Sequence, residues 1–306
     1  MTRPRVTCLF AQYDPAGLLR PHVRHYLGEL AASGMTVHLA LSGACDLSAD
    51  IARFCAERGI TPHLRPNRGM DFGAWQDLLA AGCARGAERI VLANDSVFGP
   101  LRPLAPILDR MMARPADVWG LVESRFPVWH LQSWFLCFGA DALAHPAIRR
   151  VLTLPFAEMN KDEIILHGEM GLGTAIRAAG LHAASAWADT ARGPRRLVPV
   201  NPMHIDWLSI ARAPDTPFIK IELLRDNPCG IGWTNAWRDL LAKRDHFPAA
   251  WIDDMLRGRP DTACMAGWKS RLLFLLLSRD RPAILRAMTR RPPAAVPAMS
   301  PPAVAR

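Results

Sequence analysis

Apolar residues first form a short unbroken run, Val6 to Phe10, closed by Ala11-Gln12-Tyr13-Asp14-Pro15, which predicts a buried strand and a turn. Leu19, Val23, Tyr26, Leu27 and Leu30 then recur at helical spacing while Arg20, Arg24 and Glu29 lie off that stripe. An amphipathic helix ended by Gly34 follows. Val37 to Leu41 reads as a second strand, Ala49 to Glu57 as a helix stopped by Gly59, and Ile60 to Leu64 as a weaker third strand. Asn67 to Gly73 opens a helix carrying Trp75, Leu78 and Leu79; Arg89 to Ala93 is an apolar strand that stops at Asn94-Asp95-Ser96. Strands alternating with helices of about 12 residues mark βαβ units. Their crossovers are right-handed, which places helices on both faces. The fold class expected is therefore α/β: a Rossmann-like, mostly parallel sheet covered on both faces, with a C-terminal helical extension.

After residue 100 the pattern loosens. Pro100, Pro103 and Pro106 introduce a helix near Ile107 to Met112, and strands are expected over Val118–Glu123 and His130–Phe138. A helix over Glu169–Ala179 and a strand over His182–Trp187 follow. Pro194 to Pro217 is rich in Pro and Arg and reads as a surface wrap; order resumes at Pro217–Leu224, with helices over Trp233–Lys243 and Pro248–Arg257. Trp268 to Met288 is a single basic, apolar helix in this reading, with Leu272, Leu273, Phe274, Leu275, Leu276 and Leu277 flanked by Lys269, Arg271, Arg279, Arg281 and Arg286. It either docks on the core or lies on an anionic membrane surface. The division expected is 1–240 for the ligand-binding α/β domain, 241–291 for the helical extension and 292–306 for a Pro/Ala-rich disordered tail.

Composition narrows the classes. The 37 Lys plus Arg against 28 Asp plus Glu give a formal charge of +9, which suits nucleic acid, a membrane surface or a phosphate-bearing substrate. No basic block sits beside an aromatic platform, so nucleic acid is not expected as a partner. Seven singly placed cysteines without a Cys-x-x-Cys pair read as reduced thiols. The polar start Met1–Arg5 and the lack of any run of 18 apolar residues predict a cytoplasmic protein, with contact to the inner membrane leaflet or to other assembly proteins as the open alternative. Nucleophile elbows, His-Glu-x-x-His and P-loop lysines are absent from the chain.

Candidate chemistry lies where strands end, since ligands of open α/β sheets bind beyond the carboxyl ends of the strands. At Asn67–Gly73, Gly69 and Gly73 permit close backbone approach, Arg68 can meet phosphate, and Asp71 stands at a helix start that favours an anion. Asp71 is equally explained as an N-cap. Asn94, Asp95 and Ser96 follow a buried strand, and a carboxylate there can hold Mg²⁺ or Mn²⁺ on a nucleotide diphosphate; the alternative is an Asx-type turn. Strand alternation puts His130, Gln132 and Trp134 on one face, as sugar contacts with Trp134 for stacking or as a satisfied strand end. Glu169, three residues before Leu172, is either a general base on the core-facing side of its helix or a first-turn acid serving the dipole.

Read in order, the segments Arg65–Trp75, Leu92–Pro100, Asp117–Leu121, His130–Phe135, Gly168–Leu172 and Pro217–Pro228 resemble the rhamnan synthesis F family of bacterial cell-wall and lipopolysaccharide assembly. The resemblance spans roughly residues 5 to 240. It implies a GT-A-like glycosyltransferase, an inverting hexosyl- or rhamnosyltransferase, that uses a nucleotide-sugar donor and a glycan acceptor. By that resemblance the Asn67–Asp71 loop touches the nucleotide. Asp95 stands in the place of the usual Asp-x-Asp, facing diphosphate and metal, and Glu169 is the base on the acceptor hydroxyl. A single aspartate instead of Asp-x-Asp leaves open a second class, a non-catalytic glycan- or nucleotide-sugar-binding scaffold.

Overall fold

A computed structural model describes residues 4–190, 195, 198, 200–242, 244–259, 262 and 268–289. Ten strands carry the architecture: β1 (Val6–Tyr13), β2 (Thr36–Ser42), β3 (Thr61–Arg65), β4 (Arg89–Asn94), β5 (Val97–Phe98), β6 (Val118–Ser124), β7 (His130–Leu131), β8 (Phe135–Gly139), β9 (Ala183–Trp187) and β10 (Ile219–Lys220). The main sheet runs β3-β2-β1-β4-β8-β6-β7, with β9 also paired to β6. The β3-β2-β1-β4 half is parallel throughout. β8 runs against both β4 and β6, and β9 returns parallel to β6. The expected mostly parallel α/β sheet is what the chain forms.

Both faces of the central strands are buried, and their side chains alternate between them. Cys8 and Phe10 of β1, with Val91 and Ala93 of β4, enter one apolar cluster. That cluster is covered by α1 (Pro21–Ala32), α2 (Ala49–Glu57) and α4 (Ala105–Met112). Leu9 and Ala11, with Ile90 and Leu92, enter the other. It is covered by α3 (Met70–Ala80), α5 (Ala140–Ala144), α6 (Pro146–Leu152) and α8 (Met170–Ala178), the last preceded by α7 (Lys161–Ile164). Unbroken apolar strands are thus the mark of a sheet covered twice.

A third cluster gathers Phe98, Leu101, Trp207, Leu208, Ile219, Leu223, Trp233, Trp237, Leu241, Phe247, Ile252 and Ile284 around the small antiparallel pair β5–β10. The division expected at 240/241 falls inside this cluster, so the later helices are packed into the body of the protein.

Several expectations need correction. His130–Phe138 is not one strand: β7 and β8 are separated by Gln132-Ser133-Trp134. Within Pro194–Pro217, helices Pro202–Ile205 and Trp207–Arg212 bury Met203, Trp207, Leu208 and Ile210, so that stretch fills the interior; residues 194, 196, 197 and 199 lie outside the described residues. The basic apolar segment is two helices, Trp268–Leu277 and Arg281–Thr289. Asp280 between them is 3% exposed and accepts from the backbone N–H groups of Leu208 and Ser209 and from Trp233 Nε1. Phe274 and Leu275 pack on the third cluster while Leu272, Leu273 and Leu276 stay exposed. No helix among the described residues is long and apolar enough to cross a membrane. The tail 292–306 and the side chains of Lys269 and Arg271 lie outside the described residues.

Candidate functional site

A cavity of about 420 Å³ opens beyond the carboxyl ends of β1 and β4. It collects Gln12, Tyr13 and Asp14 from β1 and the turn after it, Asn67, Met70 and Asp71 from the start of α3, and Asn94, Asp95 and Ser96 from the end of β4. Ser133, Lys161, Glu169, Lys220, Glu222 and Arg225 join the polar lining, together with Arg20, His22 and Ser42.

The loop entering α3 is shaped by Arg65, which is 8% exposed. Its guanidinium donates to Asp77 Oδ2 (2.6 Å), Ser42 Oγ (2.8 Å) and the carbonyl of Arg68 (2.7 Å). Gly69 and Met70 then take left-handed backbone, φ +68° and +50°, a conformation that costs a non-glycine residue about 1–2 kcal/mol. A side chain at Gly69 would come within 3.0 Å of the backbone of Phe156. Gly69 therefore serves a close approach between two segments of this chain, a different role from the ligand approach expected. Arg68 is exposed and does not line the cavity. Asp71 stands two residues past the N-cap of this helix, which is Gly69.

Asp71 instead turns its carboxylate across the sheet. It accepts Phe72 N–H on Oδ1 (3.1 Å) and Asn94 Nδ2–H on Oδ2 (2.6 Å). Asn94 Oδ1 in turn accepts from Ser96 N–H (3.1 Å) and Ser96 Oγ–H (2.7 Å). Burial raises Asp71 above the ordinary carboxylate range, and Glu169 raises it further, against the hydrogen bonds of Asn94 and Phe72 and the charge of Lys220. Asp95 accepts Tyr13 N–H on Oδ2 at 3.0 Å. Burial pushes it up to about 7 despite that bond, with Asp71 and Asp14 adding to the rise. Asp14 is 8% exposed and saturated, holding Ala16 N–H (2.9 Å), Leu18 N–H (3.3 Å) and Arg20 Nε–H (2.7 Å).

Glu169 arrives by an irregular route. Between α7 and α8 the chain forms a π-helical turn, Ile165–Glu169, in which Met170 N–H reaches back to the carbonyl of Ile165. Gly168 lies on the ring of Phe72, where an added Cβ would fall 2.9 Å from two ring carbons. That contact presses the turn onto α3, beside Asp71. Ser133 N–H donates to Glu169 Oε1 at 2.8 Å, and His130 Nε2 lies 3.7 Å from the same oxygen.

The expected sugar-binding face therefore changes character. His130 and Gln132 are each 3% exposed and Trp134 is 1% exposed, and none of the three lines the cavity. His130 Nδ1 lies 2.9 Å from the carbonyl of Val128, Gln132 Nε2 donates to Asn201 Oδ1 (3.3 Å), and Trp134 packs on Phe218 at 4.9 Å between centroids. The turn between β7 and β8 breaks the alternation on which that face rested, and Ser133 is the residue it delivers to the cavity.

Cations complete the lining, and sequence reasoning missed them. Lys161 Nζ lies 3.0 Å from Glu222 Oε1. Burial alone would raise Glu222, but Lys161, Lys220 and His204 hold it below the ordinary range. Arg225 pairs with Asp226. The ammonium of Lys220, at the end of β10, makes no hydrogen bond or ion pair among the described residues, and its charge acts on Asp71. A cationic residue ending a two-residue strand carries no local sequence signal; the pairing of β10 with β5 brings it to the cavity.

The donors available are hard oxygens, the class that suits Mg²⁺ or Mn²⁺. Asp95 engages one neighbouring residue through Oδ2 and is destabilised as an anion by burial, which fits a carboxylate that gains a cation on ligand binding.

This acid-rich cavity with interspersed lysine and arginine lies at the strand ends of a mostly parallel sheet, where open α/β proteins bind their ligands. Residues 61–220 match the family of rhamnan synthesis protein F, and the chain belongs to that family. The matched stretch contains Asp71, Asp95, Lys161, Glu169 and Lys220, while Asp14 and Arg225 lie outside it. The virulence protein VirA of Vibrio anguillarum is 26% identical over 228 residues, 65% of this chain and 68% of that protein. Among solved structures, the glycosyltransferase GlyE of Streptococcus pneumoniae aligns with a TM-score of 0.36 at 8% identity, over 95% of this chain and 61% of that one. Mouse xyloside xylosyltransferase 1 in its apo form aligns with a TM-score of 0.31 at 10% identity, over 58% and 81% of the two chains.

Proposed function

We propose that this protein is a glycosyltransferase that moves a sugar from a nucleotide-sugar donor to a glycan acceptor of a growing surface polysaccharide. The observation that carries this reading is the joint lining of one cavity by Asp71, Asp95 and Glu169 with Lys161, Lys220 and Arg225. Sugar transfer from such a donor builds positive charge at the anomeric carbon while a diphosphate leaves. It calls for anionic groups near the sugar and cationic groups near the phosphates. Membership in the rhamnan synthesis protein F family supports a rhamnosyl donor.

In this reading Asn67 and the start of α3 meet the nucleotide, and Asn94 and Ser96 hold Asp71 in place. Asp95 is the residue that would hold a divalent cation, which supplies charge neutralisation at the diphosphate. Lys220 neutralises phosphate directly. Glu169 takes the proton of the acceptor hydroxyl, its Oε1 fixed by Ser133 N–H, and direct displacement with that base inverts the anomeric centre. His130 positions Glu169 from behind and does not touch sugar.

The test is a panel of nucleotide-sugars screened by thermal shift, followed by product analysis on the best donor. Asp95→Ala and Glu169→Gln should each abolish transfer while the protein remains folded. Full transfer by both variants would remove the assignment.

A further inference from the structure

We propose that His38, His63 and Cys83 form a separate three-ligand site for a borderline-soft divalent cation of the zinc class. His38 Nδ1 and His63 Nε2 lie 3.0 Å apart, and Cys83 Sγ lies 3.7 Å from the same His63 nitrogen. The three ligand atoms fall within 4.8 Å of one another. Tetrahedral zinc, with bonds of about 2.1 Å to nitrogen and 2.3 Å to sulfur, separates two nitrogens by about 3.4 Å and a nitrogen from sulfur by about 3.6 Å. The spacing of Cys83 Sγ from His63 already matches, the two imidazoles need to open by a few tenths of an ångström, and His38 and Cys83 lie within 4.8 Å of each other, so side-chain rotation can bring all three onto one ion.

The fold puts these residues together from three elements. β2 and β3 are parallel with Ala40 opposite His63, so His38 is two residues back along β2 and on the same face. Cys83 follows α3, which packs on that face, and its N–H donates to the carbonyl of Leu78 at 3.1 Å. All three residues are half-buried, deep enough for defined geometry and open enough for an ion and a water to enter.

The ligand chemistry separates this site from the acid-lined cavity. Two imidazoles and a thiolate select zinc, cobalt or copper over magnesium and manganese. His38 lies four residues from Ser42 of the cavity, about 13 Å along the strand. An ion here would tie the far end of α3 to the edge of the sheet while the near end of α3 presents Asp71. The fourth coordination position remains for water or an external thiol. Binding converts the Cys83 thiol to thiolate and releases its proton to solvent.

Cobalt substitution tests this independently of sugar transfer. Full-length protein stripped with chelator should bind a single equivalent of Co²⁺, giving thiolate-to-cobalt absorption in the near ultraviolet and tetrahedral bands in the visible. Zn²⁺ should erase both, and excess Mg²⁺ should not. Cys83→Ser should lose the thiolate band. His63→Ala should bind more than about 100-fold more weakly, beyond the 10- to 100-fold expected of an outer-shell partner. Cys229→Ser is the control, because Cys229 lies 3.3 Å from His204 Nδ1 and is the competing thiol; it should keep the band. If Cys83→Ser fails to fold, His38→Gln read in the same titration decides. A folded wild type without the thiolate band under excess Co²⁺, or a band unchanged in the Cys83 and His63 variants or lost in Cys229→Ser, overturns the proposal.

Discussion

Asn94 Nδ2 lies 2.6 Å from Asp71 Oδ2, and this bond joins the end of β4 to the first turn of α3. The same amide receives Ser96 on its other side, so one side chain sets the position of two cavity residues. Asn94→Ala should cost about 1–3 kcal/mol, the range for unpairing buried polar groups, and should weaken donor binding. Urea denaturation and donor titration measure the two effects. A variant equal to wild type in both would show that Asp71 is held by something else.

The acidity of Asp95 gives a pH test with a definite sign. A carboxyl raised from 3.8 to about 7 in the folded chain binds its proton more tightly when folded, so its contribution to stability falls as pH rises through that interval. The stability of wild type relative to Asp95→Asn should therefore decline between about pH 4 and pH 7 and level off above. Denaturation of both proteins across that range, without ligand, gives the difference. A difference independent of pH would mean that Asp95 is hydrated like an ordinary surface acid.

Lys220 should matter to phosphate and little to the base or ribose. Lys220→Met is expected to weaken nucleoside diphosphate binding about tenfold, or 1.4 kcal/mol, while leaving affinity for the nucleoside nearly unchanged. In wild type, nucleoside diphosphate at about 100 times its Kd with Mn²⁺ should add about 2.7 kcal/mol of stability. A chain that responds to no nucleotide, with or without Mn²⁺, would favour the glycan-binding scaffold over the enzyme.

Two glycines of α8 separate space from propensity. A Cβ at Gly173 would stand 2.5 Å from the carbonyl oxygen of Trp129 and 2.9 Å from His130 Cα, backbone atoms that must move together with the turn holding Glu169. Gly173→Ala should cost about 1–3 kcal/mol and reduce transfer. Gly171 meets only Val151 methyl groups, at 3.6 Å and beyond, and a carbonyl at 3.9 Å. Gly171→Ala should be neutral or stabilising by up to about 1 kcal/mol. Thermal melts of the pair check the contrast, and equal behaviour would refute it.

Asp280 anchors the two C-terminal described helices through four donors beside the third cluster: the N–H groups of Leu208 and Ser209, Ser209 Oγ–H and Trp233 Nε1–H. Asp280→Ala leaves those donors unpaired and should cost at least about 1–3 kcal/mol, the range for one unsatisfied buried donor. A melt unchanged from wild type would show the anchor to be dispensable.

The parallel half of the sheet was legible in the chain because each strand is buried on both faces, so Val6–Phe10 and Arg89–Ala93 read as unbroken apolar runs. Asn94 and Asp95 were legible for the same reason: polarity begins abruptly where such a strand meets the cavity. Gln132-Ser133-Trp134 carries neither Gly nor Pro, and its turn exists because Ser133 N–H finds Glu169, a partner 36 residues away. Lys161 and Lys220 had no local signature, since long-range packing assigns them to the cavity. The apolar run around Leu272–Leu277 gave no sign of the break at Ser278–Asp280, whose cause is the buried set of donors around Asp280.

Ile165–Glu169 holds one residue more than a regular helix would place in that turn. Removing one residue there would let α7 run smoothly into α8, and the regular helix would gain backbone hydrogen bonding. It would also rotate Glu169 by about 100° about the helix axis, away from Ser133 and out of the cavity. Chain length in this turn, as much as the identity of the side chain, fixes where the carboxylate aims. A chain one residue shorter here would trade the aim of this carboxylate for a more regular helix.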